Sequence, residues 1–278
     1  MPSSNPSLQL SQSNLQDYFD CPRRFQYKVL DTISWPASYS EPMSKFEEST
    51  RLGNRFHLIC QQFFSGINPA QLQKTIDHPD LIKMWENFLP FGESLLEYKL
   101  LPEQLLSIPF SNHRLIAKFD LLVEINSEHY LIIDWKTSPK KLSRDILEKR
   151  LQTHLYPFIF SQAGTDLFEI NAISPNFIEM HYWYPLNTEP DEVFPYSNKK
   201  HNSVKSEIDI LVNQINSSLS KGTGFPLTED HSHCLYCEFR SLCNRGIKAG
   251  TFDNVILFEQ EDLSNVQFDI DQVSEIEF

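Results

Sequence analysis

Apolar positions along the chain repeat with two different periods, and the change of period marks out the elements. In "SQSNLQDYFDCPRRFQYKVL" (11–30) a serine precedes Leu15, Tyr18 and Phe19 at helical spacing. The pattern breaks at Cys21-Pro22, which predicts a capped helix that stops at a cysteine. "FEESTRLGNRFHLICQQFFSG" sets Leu52, Phe56, Ile59, Cys60 and Phe63 on one stripe, a second helix with His57 beside that stripe. A further helical stretch lies near 81–99.

The period then shortens. "HRLIAKFDLLVEINSEHYLIIDWKTS" reads as two strands around Asn126-Ser127-Glu128, and its nearly continuous apolar runs suit central strands. If the loop has three residues, Ile125 faces His129 and Asp120 falls opposite Asp134. A four-residue loop would put Asp134 on the wrong face unless a bulge intervened. "SRDILEKRLQTHLYPFIFSQAG" returns to helical spacing, "FIEMHYWYPL" is another strand, and a helix follows near 203–220. This order predicts a mixed α/β domain.

Composition narrows the class. No stretch approaches the roughly 18 uninterrupted apolar residues of a membrane span, and the start of the chain lacks a basic then apolar leader, so the expectation is a cytoplasmic protein with no membrane partner. The five cysteines are odd in number, with Cys234, Cys237 and Cys243 close together, which suits a metal or cluster site better than a disulfide framework. Cys60 reads as core. The net charge of −13 argues on its face against nucleic acid, yet residues 258–278 carry seven acids and no base, about half of that charge. No glycine-rich phosphate loop is visible, so the chain carries no evident nucleotide-driven motor.

Candidate chemistry gathers on the second strand. Asp134 and Lys136, two apart in "IIDWKT", leave the same face of the sheet, and a buried carboxylate and ammonium are costly unless something uses them. With Asp120 they suit Mg2+ or Mn2+ and the hydrolysis of a phosphodiester; His57 could add an imidazole ligand and tilt the preference towards Mn2+. Gln152 and Tyr156 lie one turn apart on the next helix and could steady the lysine or a phosphate. Arg23 and Arg24, beside Phe25 and Tyr27, read equally well as a DNA contact or as a solvated helix end. Three thiols spaced Cys-x2-Cys-x5-Cys still need a fourth ligand, and Zn2+ with His231 or His233 is compatible with that spacing.

Taken in order, "SQSNLQDYFDCPRRFQY", "RLGNRFH", "AKFDLL", "LIIDWKT", "QTHLY" and "CLYCEFRSLC" resemble the PD-(D/E)xK nuclease superfamily, and within it the RecB-like exonucleases with an iron–sulfur cluster, which include the CRISPR-associated exonucleases and the AddB nuclease domain. The resemblance runs from about Ser11 to Arg245. It implies a restriction-endonuclease-like core, a central mixed sheet flanked by helices. His57, Asp120, Asp134 and the carbonyl of Trp135 are then ligands of Mg2+ or Mn2+, Lys136 is the catalytic lysine, and Gln152 and Tyr156 match the Q-x-x-x-Y motif. Cys21, in its Cys-Pro context, joins Cys234, Cys237 and Cys243 around a [4Fe-4S] cluster that fastens the two ends together. One departure stands out: Ala117 occupies the position, three before the first aspartate, where the family usually has glycine.

The implied organisation is an N-terminal helical segment (1–44), a nuclease core (45–222), a cysteine segment (223–250) and an acidic tail (251–278). The implied activity is a metal-dependent exonuclease on single-stranded DNA or DNA ends, in repair, recombination or CRISPR adaptation, with a helicase or adaptation partner. The competing expectation is a non-catalytic module that binds DNA or a partner.

Overall fold

Ser11 caps the first helix as its sequence suggests: its side chain accepts a hydrogen bond from the Asn14 N–H at 3.2 Å. Strand β1 (Gln9–Ser11) runs directly into α1 (Gln12–Asp20), which ends where Cys21 turns extended, and Pro22 opens the short α2 (Pro22–Phe25), followed by a π-helical turn. This computed structural model describes residues 6–33, 41–187, 191–235 and 237–246; the acidic stretch 251–278 lies outside them.

Helices α3 (Glu41–Phe64), α4 (Pro69–Gln73) and α5 (Pro79–Leu95) precede the hairpin strands, which span β3 (His113–Asn126) and β4 (His129–Trp135). Between α5 and β3 the chain adds β2 (Lys99–Phe110), which the sequence pattern did not show. Its prolines, Pro102 and Pro109, are tolerated because β2 pairs with β3 alone, as an edge strand. The chain continues through α6 (Arg144–Lys149), α7 (Leu151–Ala163) and α8 (Thr165–Phe168) to β5 (Ile178–Trp183), β6 (Glu192–Pro195) and α9 (Asn198–Lys221).

The strands form one six-stranded mixed sheet. Strand β3 is antiparallel to β2 along one side; its other side is shared end to end by parallel β1, at Arg114–Ile116, and antiparallel β4, from Leu121 onwards. Strand β4 is paired in parallel with β5 after the α6–α8 crossover, and β6 closes the far edge. Helices cover both faces. One core packs α1, α7 and α9 through residues such as Leu15, Phe158 and Ile208; the other packs α3 and α5 through Phe56, Phe63 and Phe88. The arrangement is a helix–sheet–helix sandwich, consistent with a restriction-endonuclease-like fold.

Two details of the sheet position the site. The β3–β4 ladder pairs Leu121 with Ile133, a register that sets Asp120 opposite Asp134, but the turn is tighter than a three-residue loop: Asn126 pairs with His129 and an irregularity between Glu124 and Asn126 absorbs the difference. Second, the inside–outside alternation of β3 changes phase. Leu115, Ala117 and Phe119 face the α7 side, whereas Leu121 and Val123 face the α3 side. Opposite this change Glu103 of β2 has φ 53°, although the register continues unshifted from Pro102–Leu121 to Gln104–Phe119. Ala117 pairs regularly with Leu106 and is buried, so the freedom of a glycine is not required there.

Candidate active site

The site lies at the carboxyl end of β4, where parallel strands of open sheets commonly present ligands. Trp135 turns its ring into the α3–α5 core, edge-on to Phe88 and Trp183, and so fixes the backbone between the two acidic chemistries. Its N–H donates to Asp120 Oδ2 at 2.9 Å, and its carbonyl oxygen lies 3.1 Å from His57 Nε2.

His57 arrives on α3, which approaches β4 closely because of Gly53. A Cβ at Gly53 would stand 2.7 Å from Thr137 Oγ1, so a glycine one turn before the histidine is a packing requirement. The two imidazole nitrogens both face acceptors, Asp120 Oδ1 at 3.1 Å and the Trp135 carbonyl, an arrangement that suits the doubly protonated ring. Burial opposes that charge, but the Asp120 carboxylate, with Asp134 and Glu103 behind it, raises the histidine above its ordinary pKa. For Asp120, burial favours the protonated form; His57, the Trp135 N–H and Lys136 outweigh it and hold the carboxyl below its usual value.

On the other face of β4, Asp134 and Lys136 meet α7. Lys136 Nζ is 3.0 Å from Asp134 Oδ2 and donates to Gln152 Oε1 at 2.8 Å, while Gln152 Nε2 donates to Asp134 Oδ1 at 2.6 Å. The three side chains close a ring of polar contacts, with the ammonium 5.3 Å above the centre of the Tyr182 ring. Asp134 is only 6% exposed. Burial lifts its pKa to about 6; Lys136 pulls down, and repulsion from Asp120 adds to the rise. Tyr156 packs its ring 4.9 Å from that of Phe119 in the α7-side core.

Glu103 completes this region and went unnoticed in the sequence. Its carboxylate, a His57 nitrogen and an Asp120 oxygen lie within 4.8 Å of one another, and it pairs with Lys118 Nζ at 2.5 Å. The signal was hidden, since only the β2–β3 register places Glu103 opposite Asp120.

A second constellation gathers Cys21, Cys234, Cys237 and Cys243 around one pocket, partly open to solvent, whose lining also includes Arg24 and His233. Burial pushes the Cys237 thiol up to about 11 and raises Cys234 and Cys243, with Arg24 and Arg245 among the cations pulling the other way. The chain ends are fastened here by other contacts too. Arg23 N–H bonds the Pro226 carbonyl at 3.0 Å, Arg23 Nε donates to the Phe225 carbonyl at 2.6 Å, and Phe25 stacks on Phe225. Arg24 is held by Asp17 at 2.6 Å and Asp20 at 2.9 Å. A DNA contact by Arg23 or Arg24 would compete with these internal partners.

A family model for the PD-(D/E)XK nuclease superfamily matches residues 9–244, most of the chain. The chain belongs to that superfamily. The match takes in both chain-end cysteine segments and every residue of the acidic site. Members of this nuclease superfamily typically use Mg2+ or Mn2+, and the donors brought together here are of the matching kind. Among solved structures, the nuclease is similar to SSO0001 at 15% identity and TM-score 0.38, covering 86% of this chain and 87% of that one. It is also similar to a protein of Eubacterium rectale described as a "putative exonuclease", at 12% identity and TM-score 0.47, covering 77% and 82%. Likenesses this distant carry no argument about activity. No curated protein matches the chain. Among the described residues, no helix is long and apolar enough to cross a membrane.

Proposed function

We propose that this nuclease is a metal-dependent DNA exonuclease that acts on single-stranded DNA or DNA ends. The observation that supports it most is the joining of two polar sets at the end of β4: Asp134–Lys136–Gln152 on one side, and Asp120, His57 and the Trp135 carbonyl on the other. A structural ion pair would need only the first. The donors fit a hard divalent cation, since carboxylates, one imidazole and a carbonyl oxygen suit Mg2+ or Mn2+. His57, Asp120, Asp134 and the Trp135 carbonyl would hold it, and when bound it would lower the pKa of a water and neutralise phosphate charge.

The protein's own groups then have definite tasks. Gln152 and Asp134 hold the Lys136 ammonium by one contact each and are hydrogen-bonded to one another, so it is oriented before substrate arrives and can donate to the attacking oxygen or to a non-bridging phosphate oxygen. Asp134 acts as a carboxylate and must lose its proton. The His57 ring must give up a proton to offer a lone pair, and Asp120 is held ionised throughout.

The same reading assigns a [4Fe-4S] cluster to Cys21, Cys234, Cys237 and Cys243. Support comes from their common pocket across a loop of more than 200 residues. A partner chain would supply any motor. The test is anaerobic incubation of end-labelled and circular single-stranded DNA with Mn2+. Shortening of the linear strand with circles spared is expected, while cut circles would replace exonuclease by endonuclease and no cleavage would overturn the proposal.

A further inference from the structure

We propose that Glu103 is an additional protein ligand of this divalent cation, held in reserve by Lys118 while the cation is absent. The inference rests on the nuclease reading above. It begins with cross-strand placement: the β2–β3 register puts Glu103 directly opposite Asp120, and like charges so placed destabilise a sheet. The backbone makes the choice costlier. At φ 53° Glu103 occupies the left-handed region, which non-glycine residues avoid. The left-handed residue stands where the alternation of β2 and β3 changes phase, between the Pro102–Leu121 and Gln104–Phe119 pairs. This change of phase turns the Glu103 side chain to the side of the sheet that carries His57 and Asp120.

That aim is towards the site, where a Glu103 oxygen converges with His57 and Asp120 within 4.8 Å. The Lys118 ion pair offsets the charge, but its two halves differ in freedom. The Glu103 side chain is 9% exposed and that of Lys118 37%. The lysine can swing out into water on its flexible stem, whereas the carboxylate stays inside and needs another cation. Each carboxylate of the site in fact already faces a cationic group: Asp120 faces His57, Asp134 faces Lys136 and Glu103 faces Lys118. Of these, only Lys118 belongs to neither the Lys136–Gln152 ring nor the expected ligand set.

The test is Mn2+ binding to the full chain after chelator treatment, followed through the paramagnetic signal of free Mn2+, for wild type, Glu103→Gln, Lys118→Gln and the double variant. Glu103→Asn, whose side chain tolerates a left-handed backbone, serves if the glutamine variant fails to fold. Glu103→Gln is expected to weaken binding by at least about tenfold. Lys118→Gln is expected to tighten it severalfold, and the double variant to bind like Glu103→Gln. Unchanged affinity in a folded Glu103 variant, or no tightening in Lys118→Gln, would overturn the proposal while wild-type binding and cleavage left the nuclease reading standing. A wild type that neither binds Mn2+ nor cuts DNA would remove both.

Discussion

Asp134 is a buried carboxylate between Asp120 and Lys136, and its titration has a measurable consequence. Its folded pKa of about 6 lies above the ordinary 3.8, so the metal-free fold binds a proton that the unfolded chain has released. Stability should therefore fall as pH rises from about 4 through 6, by an amount on the order of 3 kcal/mol. Asp120, shifted down, acts below that window, and His57, shifted up, acts above it. A bound cation reverses the sign, because it needs Asp134 ionised and His57 neutral. The rise in Tm on adding Mn2+ should then be small at pH 5 and several degrees larger at pH 7.5; a pH-independent rise would mean that the cation binds elsewhere. Asp134, Lys136 and Gln152 were legible in the sequence because strand and helix spacing alone set their faces. Glu103 was not, because its role depends on a strand disguised by two prolines and on a backbone angle that no residue pattern announces.

Among the elements, α3 matters most, since it carries His57 against the end of β4. Gly53→Ala sets two effects against each other. Alanine raises helix propensity by about 1 kcal/mol, while its methyl, 2.7 Å from Thr137 Oγ1, forces either α3 or the residue after Lys136 to move. The two roughly offset in stability, but not in geometry. We expect Tm to change by only a few degrees while cleavage falls at least about tenfold, as a misplacement approaching 1 Å commonly causes. Full activity in Gly53→Ala would show that the close approach is dispensable. The long helices and the hairpin were readable from periodicity. Strands β1 and β6 were not, being three and four residues long, too short to display an alternation.

For the whole molecule, the thiol pocket joins α1 to the segment after α9. Because Arg23, Gln26 and Phe25 already bind Phe225 and Pro226, the ends should stay together without a cluster, but less firmly. On the proposed cluster assignment, Cys21→Ser is expected to abolish iron binding and visible absorption and to lower Tm, while far-UV circular dichroism keeps its α/β form. Retained iron would place the fourth ligand elsewhere, and stoichiometric zinc in the wild type would favour His233, which lines the same pocket. That Cys21 meets three cysteines more than 200 residues away could not follow from spacing. It came from the family resemblance, and the fold brings the four together.

The measurement closest to the central claim is Mn2+-dependent hydrolysis of end-labelled single-stranded DNA by the wild type and by Lys136→Ala, prepared identically and matched in metal content and circular dichroism. The expected result is cleavage by the wild type and a loss of at least about a hundredfold in the variant, since only Lys136 is the ammonium fixed in place by Asp134 and Gln152. Equal cleavage by both proteins would contradict the account, because the chemistry would then lie outside the site at the end of β4.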